Sequence, residues 1–297
     1  MGRRKETKVE TVGLVVRPGS EQVARRARRL AAWLERRGLR VLAHRDWAGS
    51  AGGRPVVGRS AMMREADLVI VLGGDGSLLG VARLSGTPPV PVVGIHHGEF
   101  GFLTESDRGG LFNTVAKILE GPLRIQYRTM LAVRVRRRGR VAVRSQALND
   151  AVVTRGTFSR MLTLEAAVND HRLGTYMGDG LVIATPTGST AYSLSAGGPI
   201  VEPSMSAILL TPISPHTLSS RPLVLSDRSR VSIEIAPDCD DAVLTLDGQE
   251  WFTLERGDVV EVARSRNRAA IATAADGSFF EVLQSKLHWG ARGERKG

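Results

Sequence analysis

Apolar positions along the chain follow two regimes. Up to residue 124, short continuous apolar runs alternate with stretches at helical spacing. Thr11–Val16 is apolar and β-branched and reads as a strand. Behind Ser20, a suitable N-cap, Val23, Ala24, Ala27, Leu30, Ala31 and Leu34 recur on one helix face, and Gly38 closes that helix. Residues 39–43 read as a second strand, Arg59–Glu65 as a short helix, and Leu111–Leu119 as a helix ended by Gly121-Pro122. The runs 67–72 and 90–95 are almost wholly apolar, which suits strands buried on both faces of a parallel sheet. The alternation predicts a doubly wound α/β domain over residues 1–124.

From residue 125 the pattern is mostly of strand type. Strands are expected at 129–135, 141–148, 150–154, 161–168, 179–184, 231–236, 242–247 and 258–264. Turn signals separate them at Arg138-Gly139-Arg140, Asn169-Asp170 and Asp247-Gly248. Helical patches are read only at 189–196 and 204–210, and a helix at 279–289 in the tail. The fold class expected is therefore α/β plus all-β, with a β-sandwich-like second domain over 125–274.

Composition narrows the setting. With 297 residues, 42% apolar and 24% charged, the chain has ordinary globular content and can bury a core in each domain. A single cysteine, Cys239, excludes an internal disulfide and a Cys-based zinc site, and points to a reducing, cytoplasmic setting. Cys239 lies in an acidic turn and is not read as a nucleophile. No apolar run reaches the roughly 20 residues of a membrane helix, so no membrane partner is expected. The net charge of +11 attracts polyanions, nucleotides included. Arginines cluster at positions 25, 26, 28, 29, 36 and 37, and again at 134, 136, 137, 138 and 140. No aromatic residues are read as interleaving with them, so these clusters are taken as solvated surface and nucleic acid is not expected.

The first segment with chemistry is Gly73-Gly74-Asp75-Gly76-Ser77, which follows a buried strand and opens a helix. Glycines let backbone N–H groups approach phosphate, and a helix start favours anions. A carboxylate is out of place there unless it meets a metal ion or takes a proton from an attacking hydroxyl, so Asp75 is the candidate base of a kinase. No Gly is followed by Lys, which excludes a Walker A loop, and 90–95 ends without the acidic residue of a Rossmann dehydrogenase. The second segment, 178–199, is rich in glycine and small hydroxyls suited to a base and a ribose. The adjacent His96-His97 lacks a third ligand at motif spacing, and no protein metal site is read.

Together these segments resemble the NAD kinase family. The resemblance rests on 73–79, Ala147-Leu148-Asn149-Asp150, the run Thr185-Pro186-Thr187-Gly188-Ser189-Thr190-Ala191-Tyr192, the stretches 94–104 and 212–222, Asp247-Gly248-Gln249, and 279–290. The Gly-Gly-Asp-Gly turn alone is shared with phosphofructokinases and lipid kinases; the 185–192 run is far more specific. The resemblance implies transfer of the terminal phosphate of ATP, with Mg²⁺, to the 2′-hydroxyl of NAD's adenosine ribose. It implies Asp75 as the base, Gly74 and Gly76 near phosphates, and Asn149 and Asp150 on ribose hydroxyls. It places Asp179, Thr190, Ala191, Tyr192, Ser193, Leu194 and Ser195 around the dinucleotide, with Phe102, Arg160, Met177, Ser214 and Gln249 at further contact positions. It also implies a homodimer or homotetramer, and a tail, 275–297, packed back onto the first domain. His96, Ser77, Asp150 and Met177 depart from the commonest family residues, which leaves the choice of NAD or NADH open. Kinases of a sugar phosphate or lipid, and a non-catalytic dinucleotide sensor, are the alternatives.

Overall fold

Unit by unit, the structure follows from which faces each segment has to bury. The computed structural model describes residues 8–96, 101–106, 110–156, 161–217, 219–237, 239, 241–274 and 278–287. The chain divides into two units, Met1–Tyr127 with Ala270–Gly297, and Arg128–Ala269.

The first unit runs β1 (Thr11–Val16), α1 (Glu21–Glu35), β2 (Arg40–His44), β3 (Val56–Val57), α2 (Arg59–Glu65), β4 (Leu68–Leu72), α3 (Asp75–Ala82), β5 (Pro91–His96), β6 (Thr104–Ser106) and α4 (Leu111–Leu119). Its strands pair in parallel in the order β3-β2-β1-β4-β5, with β6 on the far side of β5. Ser20 caps α1, its hydroxyl accepting from the Val23 N–H at 3.4 Å. Leu30 and Leu34 of α1 and Val115 and Ile118 of α4 pack with Leu14, Ile70 and Val93 on one face of the sheet. The other face meets Met62 of α2 and Leu78 of α3. Gly13 and Gly94 lie so close to those two side chains that an added Cβ would collide with them. Helices thus cover both faces, and β4 is buried along its whole length. Each fully buried leucine there contributes roughly 1.5–3 kcal/mol of burial free energy.

The second unit contains β7 (Ile125–Arg137, whose first residues belong to the first unit), β8 (Arg140–Ala147), β9 (Asp150–Arg155), β10 (Leu162–Val168), β11 (His171–Gly178), β12 (Gly180–Ala184), α5 (Tyr192–Ser195), β13 (Ala207–Ile213), β14 (Leu223–Ser226), β15 (Arg230–Ile235), β16 (Ala242–Leu246), β17 (Glu250–Leu254) and β18 (Val259–Ala272). One sheet has the order β11-β10-β15-β18-β7-β8 and the other β14-β13-β12-β9-β16-β17. Alternate residues, among them Leu131, Val133, Val153, Leu164, Leu181, Ile233, Leu244 and Val260, point into one core between the sheets. Tight turns have the left-handed backbone their residues tolerate: Arg138-Gly139, Asn169-Asp170 and Asp247-Gly248 all have positive φ. The last residues of β18, from Ala270, belong to the first unit and pair there with β5, Ala270 opposite Pro91, and α6 (Phe279–Leu287) ends the described chain.

The expected fold class, doubly wound α/β plus a β-sandwich, is the one observed. One element is corrected. Of the helical patch expected at 204–210, residues 204–206 are turn, bend and coil and the rest begins strand β13, every residue of which is buried. Its outer side is covered as well: Val152, Val182, Leu209 and Ile213 pack under Val201 and Ala196 of the 185–201 segment. A strand buried on both faces loses its period-two signature, so its apolar run imitates a buried helix. A second correction concerns the first arginine cluster. Aromatic rings do lie among its arginines, with the Arg37 guanidinium 3.8 Å from the Trp33 ring centre and Arg29 5.7 Å from that of Phe112.

Candidate active site

In the first unit, the chain reverses its connection order between β1 and β4, and ligands bind at the carboxyl ends of strands flanking such a point. The Arg17 N–H donates to the Leu72 carbonyl at 3.0 Å and the Gly73 N–H to that of Ile95 at 3.1 Å, so the turn after β4 is tied to both neighbouring strands. An added Cβ on Gly73 would sit 2.7 Å from the Ser77 hydroxyl, which requires glycine there. Arg17, Arg26, Gly73, Gly74 and His96 line a cleft floored by Leu72 and Ile95.

Asp75 is the first residue of α3, with Gly74 at the N-cap. Its carboxylate turns back onto the segment before β6. Oδ2 accepts from the Phe102 N–H at 2.8 Å; Oδ1 accepts from the Leu103 N–H at 3.3 Å and the Thr104 hydroxyl at 2.8 Å. Gly101 passes so close that a Cβ on it would overlap the carboxylate. Three donors among the described residues fix the side chain, and among those residues Oδ2 has one donor, which leaves it a lone pair to accept a proton or meet a cation. Phe102, expected from sequence as a ligand contact, meets Asp75 through its backbone. Gly76 is exposed in the first turn of α3.

In the second unit, Leu148, Asn149 and Asp150 form a turn held from two sides. Asp247, buried in the β16–β17 turn, accepts from the N–H groups of Leu148 at 2.8 Å, Asn149 at 2.7 Å and Asp150 at 3.1 Å. Its own N–H donates to the Asp150 carbonyl at 3.0 Å. From the other side the Thr185 N–H donates to the Asn149 carbonyl at 2.8 Å, and its hydroxyl donates to the Leu148 carbonyl at 2.7 Å. The Thr185 hydroxyl also accepts from the Gly188 N–H at 3.0 Å. Gly188 abuts Asn149 so closely that an added Cβ would overlap the Asn149 backbone.

Two buried polar atoms in this cluster, Asn149 Oδ1 and Thr187 Oγ1, find no hydrogen-bond partner among the described residues. Buried polar atoms are ordinarily paired, so these two acceptors suit ligand hydroxyls. Asp150 is 5% exposed, and burial first, then the Asp247 charge, raise its carboxyl pKa to about 7.

The other expected residues form two groups. The Asp179 N–H donates to the Ile213 carbonyl at 3.0 Å and the His216 N–H to that of Met177 at 2.8 Å, which brings Met177, Asp179 and Ser214 together at the ends of β11, β12 and β13. Gly178 makes this approach possible, since a Cβ there would lie 2.9 Å from the Ile213 and Ser214 carbonyls. Asp179 pairs with Arg155 at 2.8 Å. Thr190, Ala191, Tyr192, Leu194 and Ser195 are at least partly exposed along the turn and α5, whereas the Ser193 hydroxyl is buried against that of Thr211 at 2.9 Å. Gln249 is exposed beside Asp247. Arg160 lies outside the described residues. Sequence reasoning singled out neither Asp247 nor Thr187 as a site residue; the available signal was that each falls inside a matched motif. Among the described residues no three His, Cys, Asp or Glu side chains cluster as a metal site.

A doubly wound domain with a carboxylate in a glycine turn, and a β-sandwich with a hydroxyl-rich turn around orphaned acceptors, define a phosphotransferase acting on a hydroxylated nucleotide. Comparison with known proteins makes this specific. Residues 12–123 match the ATP-NAD kinase N-terminal domain and residues 148–274 the ATP-NAD kinase C-terminal domain. The NAD kinase of Geobacter sulfurreducens is 43% identical over 266 residues, covering 90% of this chain and 94% of that protein. That of Syntrophotalea carbinolica is 40% identical over 285 residues, covering 96% and 100%. The crystal structure of yeast NADH kinase complexed with NADH superposes with a TM-score of 0.89 at 25% identity, covering 98% of this chain and 91% of that one. The chain belongs to the NAD kinase family.

Proposed function

We infer that the chain is an NAD kinase, transferring the terminal phosphate of ATP to the 2′-hydroxyl of NAD's adenosine ribose to give NADP. Beyond family membership, the observation that carries the reading is Asp75: a carboxylate held by three donors in a glycine turn, with a lone pair of Oδ2 open among the described residues. An alcohol is a weak nucleophile, and phosphoryl transfer needs alignment, charge neutralisation and an acceptor for the proton. In the proposed step the ribose O2′ forms a bond to the terminal phosphorus as the bond from that phosphorus to the bridging oxygen breaks. The electron pair leaves on ADP, and the hydroxyl proton passes to Asp75 Oδ2.

Gly73 and Gly74 bring backbone close to the donor phosphates, and Arg17 and Arg26 line the same cleft. Asn149 Oδ1 and Asp150 bind ribose hydroxyls, which pairs the orphaned acceptor. Thr190, Ala191, Tyr192, Ser195, Asp179, Met177, Ser214 and Gln249 flank the rest of the dinucleotide. Mg²⁺ bound with ATP would supply neutralisation of phosphate charge and would be held mainly through the substrate phosphates, which leaves Asp75 Oδ2 to take the proton. The chain assembles as a homodimer or homotetramer in this reading, and light scattering of the purified protein tests it.

An acceptor panel tests the reading. The protein with ATP and Mg²⁺ is offered NAD, NADH, fructose 6-phosphate and diacylglycerol, and products are weighed by mass spectrometry. Phosphate on a dinucleotide is expected. Phosphate on the sugar phosphate or lipid alone would overturn it.

A further inference from the structure

We infer that Asp247 is a positioning residue, whose carboxylate holds the Leu148–Asn149–Asp150 turn in the shape that presents Asn149 and Asp150 to the ribose. The inference rests on the reading of that turn as a ribose site.

The geometry is specific. One carboxylate takes three successive backbone N–H groups at 2.7–3.1 Å, and the N–H of the same residue returns a bond to the Asp150 carbonyl. Three consecutive N–H groups cannot all converge on one side chain in an extended strand, where successive N–H groups point to opposite sides. The bonds therefore define the local kink that starts β9. Asp247 can reach it because Asp247 and Gly248 both adopt left-handed backbone, φ 54° and 61°, which returns the chain tightly at the end of β16. Bonds to a charged acceptor are roughly twice as strong as neutral ones, and burial strengthens them further.

What this arrangement fixes is the direction of two side chains. Asn149 Oδ1 is buried and unmatched within the described residues, an arrangement that costs free energy until a ligand donor arrives. Without Asp247 the turn could relax to bury or hydrate that oxygen. The second effect is electrostatic. Asn149 is beside Asp150 in the chain, Ala184 is opposite it on β12, and among the described residues Asp247 is the charged group that acts on it. Burial first, and then the Asp247 charge, raise the proton affinity of Asp150, so loss of that charge lowers the pH at which Asp150 ionises.

The test uses Asp247→Asn, Asp247→Glu and, as a control, Asp258→Asn. Asp258 is another buried carboxylate of this unit, bound to Arg137 and to the Glu255 N–H. Asp247→Asn is expected to raise KM for NAD about tenfold to a hundredfold with a smaller change in kcat. It should also shift the midpoint of the log(kcat/KM) profile for NAD to lower pH, because the like charge is gone. Asp247→Glu keeps the charge and displaces the oxygens; it should raise KM with the midpoint retained, and it decides the matter if the Asn variant does not fold. Asp258→Asn should lower Tm while moving neither KM nor the midpoint. Wild-type KM and midpoint in the Asp247 variants, with lowered Tm alone, would reduce Asp247 to a structural residue and overturn the inference. If the unmodified protein makes no NADP, the underlying reading fails instead.

Discussion

Asp75 and Asp150 are two carboxylates in opposite surroundings. Asp75 faces two N–H groups and a hydroxyl, which orient its carboxylate. Asp150 is buried beside a second carboxylate, which favours its protonated form. The consequences differ. Asp75→Asn removes the proton acceptor, and kcat should fall by about 10²–10⁴-fold while calorimetric binding of NAD persists. For Asp150 the effect is on stability. Its value of about 7 in the folded chain lies above the ordinary carboxylate value of about 3.9 expected when unfolded. Between those two pH values the folded chain keeps a proton that the unfolded chain has released. Stability from this group is therefore present below about pH 4, falls as pH rises, and is lost above about pH 7. Asp150→Asn should leave stability near pH 4 little changed and raise it at pH 8 by a few kcal/mol, read from Tm at both pH values. KM for NAD should rise in the same variant.

At the scale of elements, close-packed glycines decide whether the turns form. Gly188→Ala sets a methyl on the Asn149 backbone, so the 185–190 turn must shift; about 1–3 kcal/mol of stability should be lost, with a rise in KM for NAD. Gly101→Ala pushes on the Asp75 carboxylate and should lower kcat more than it raises KM for NAD, as steady-state kinetics would report. The sequence made much of this scale legible. The helix of Glu21–Glu35 announces itself by its cap and apolar spacing, and the strands 162–168 and 231–235 by alternation. Strand Ala207–Ile213 was not legible, because the 185–201 segment covers its outer face and erases the alternation. His171–Gly178 was missed as well: it is an edge strand with mostly exposed residues and no apolar rhythm. The chemistry of the turns was readable as motifs. That Asp247 anchors three amides of a turn about a hundred residues earlier in the chain was not, since nothing local encodes a partner so distant in sequence.

For the whole molecule, charge and family membership bear on substrates together. A net charge of +11 favours encounter with polyanionic ATP, so kcat/KM for ATP should fall as ionic strength rises, beyond what kcat alone shows. No helix among the described residues is long and apolar enough to cross a membrane. The similarity extends to NAD kinases and to an NADH kinase, so both redox forms of the dinucleotide belong in any assay of acceptor choice. The central claim concerns the product. Purified protein is incubated with ATP, Mg²⁺ and NAD, and the mixture is read with a dehydrogenase that accepts NADP alone. The account predicts NADP formation that depends on ATP and is lost in Asp75→Asn. A folded protein that yields no phosphorylated dinucleotide from either NAD or NADH would contradict it.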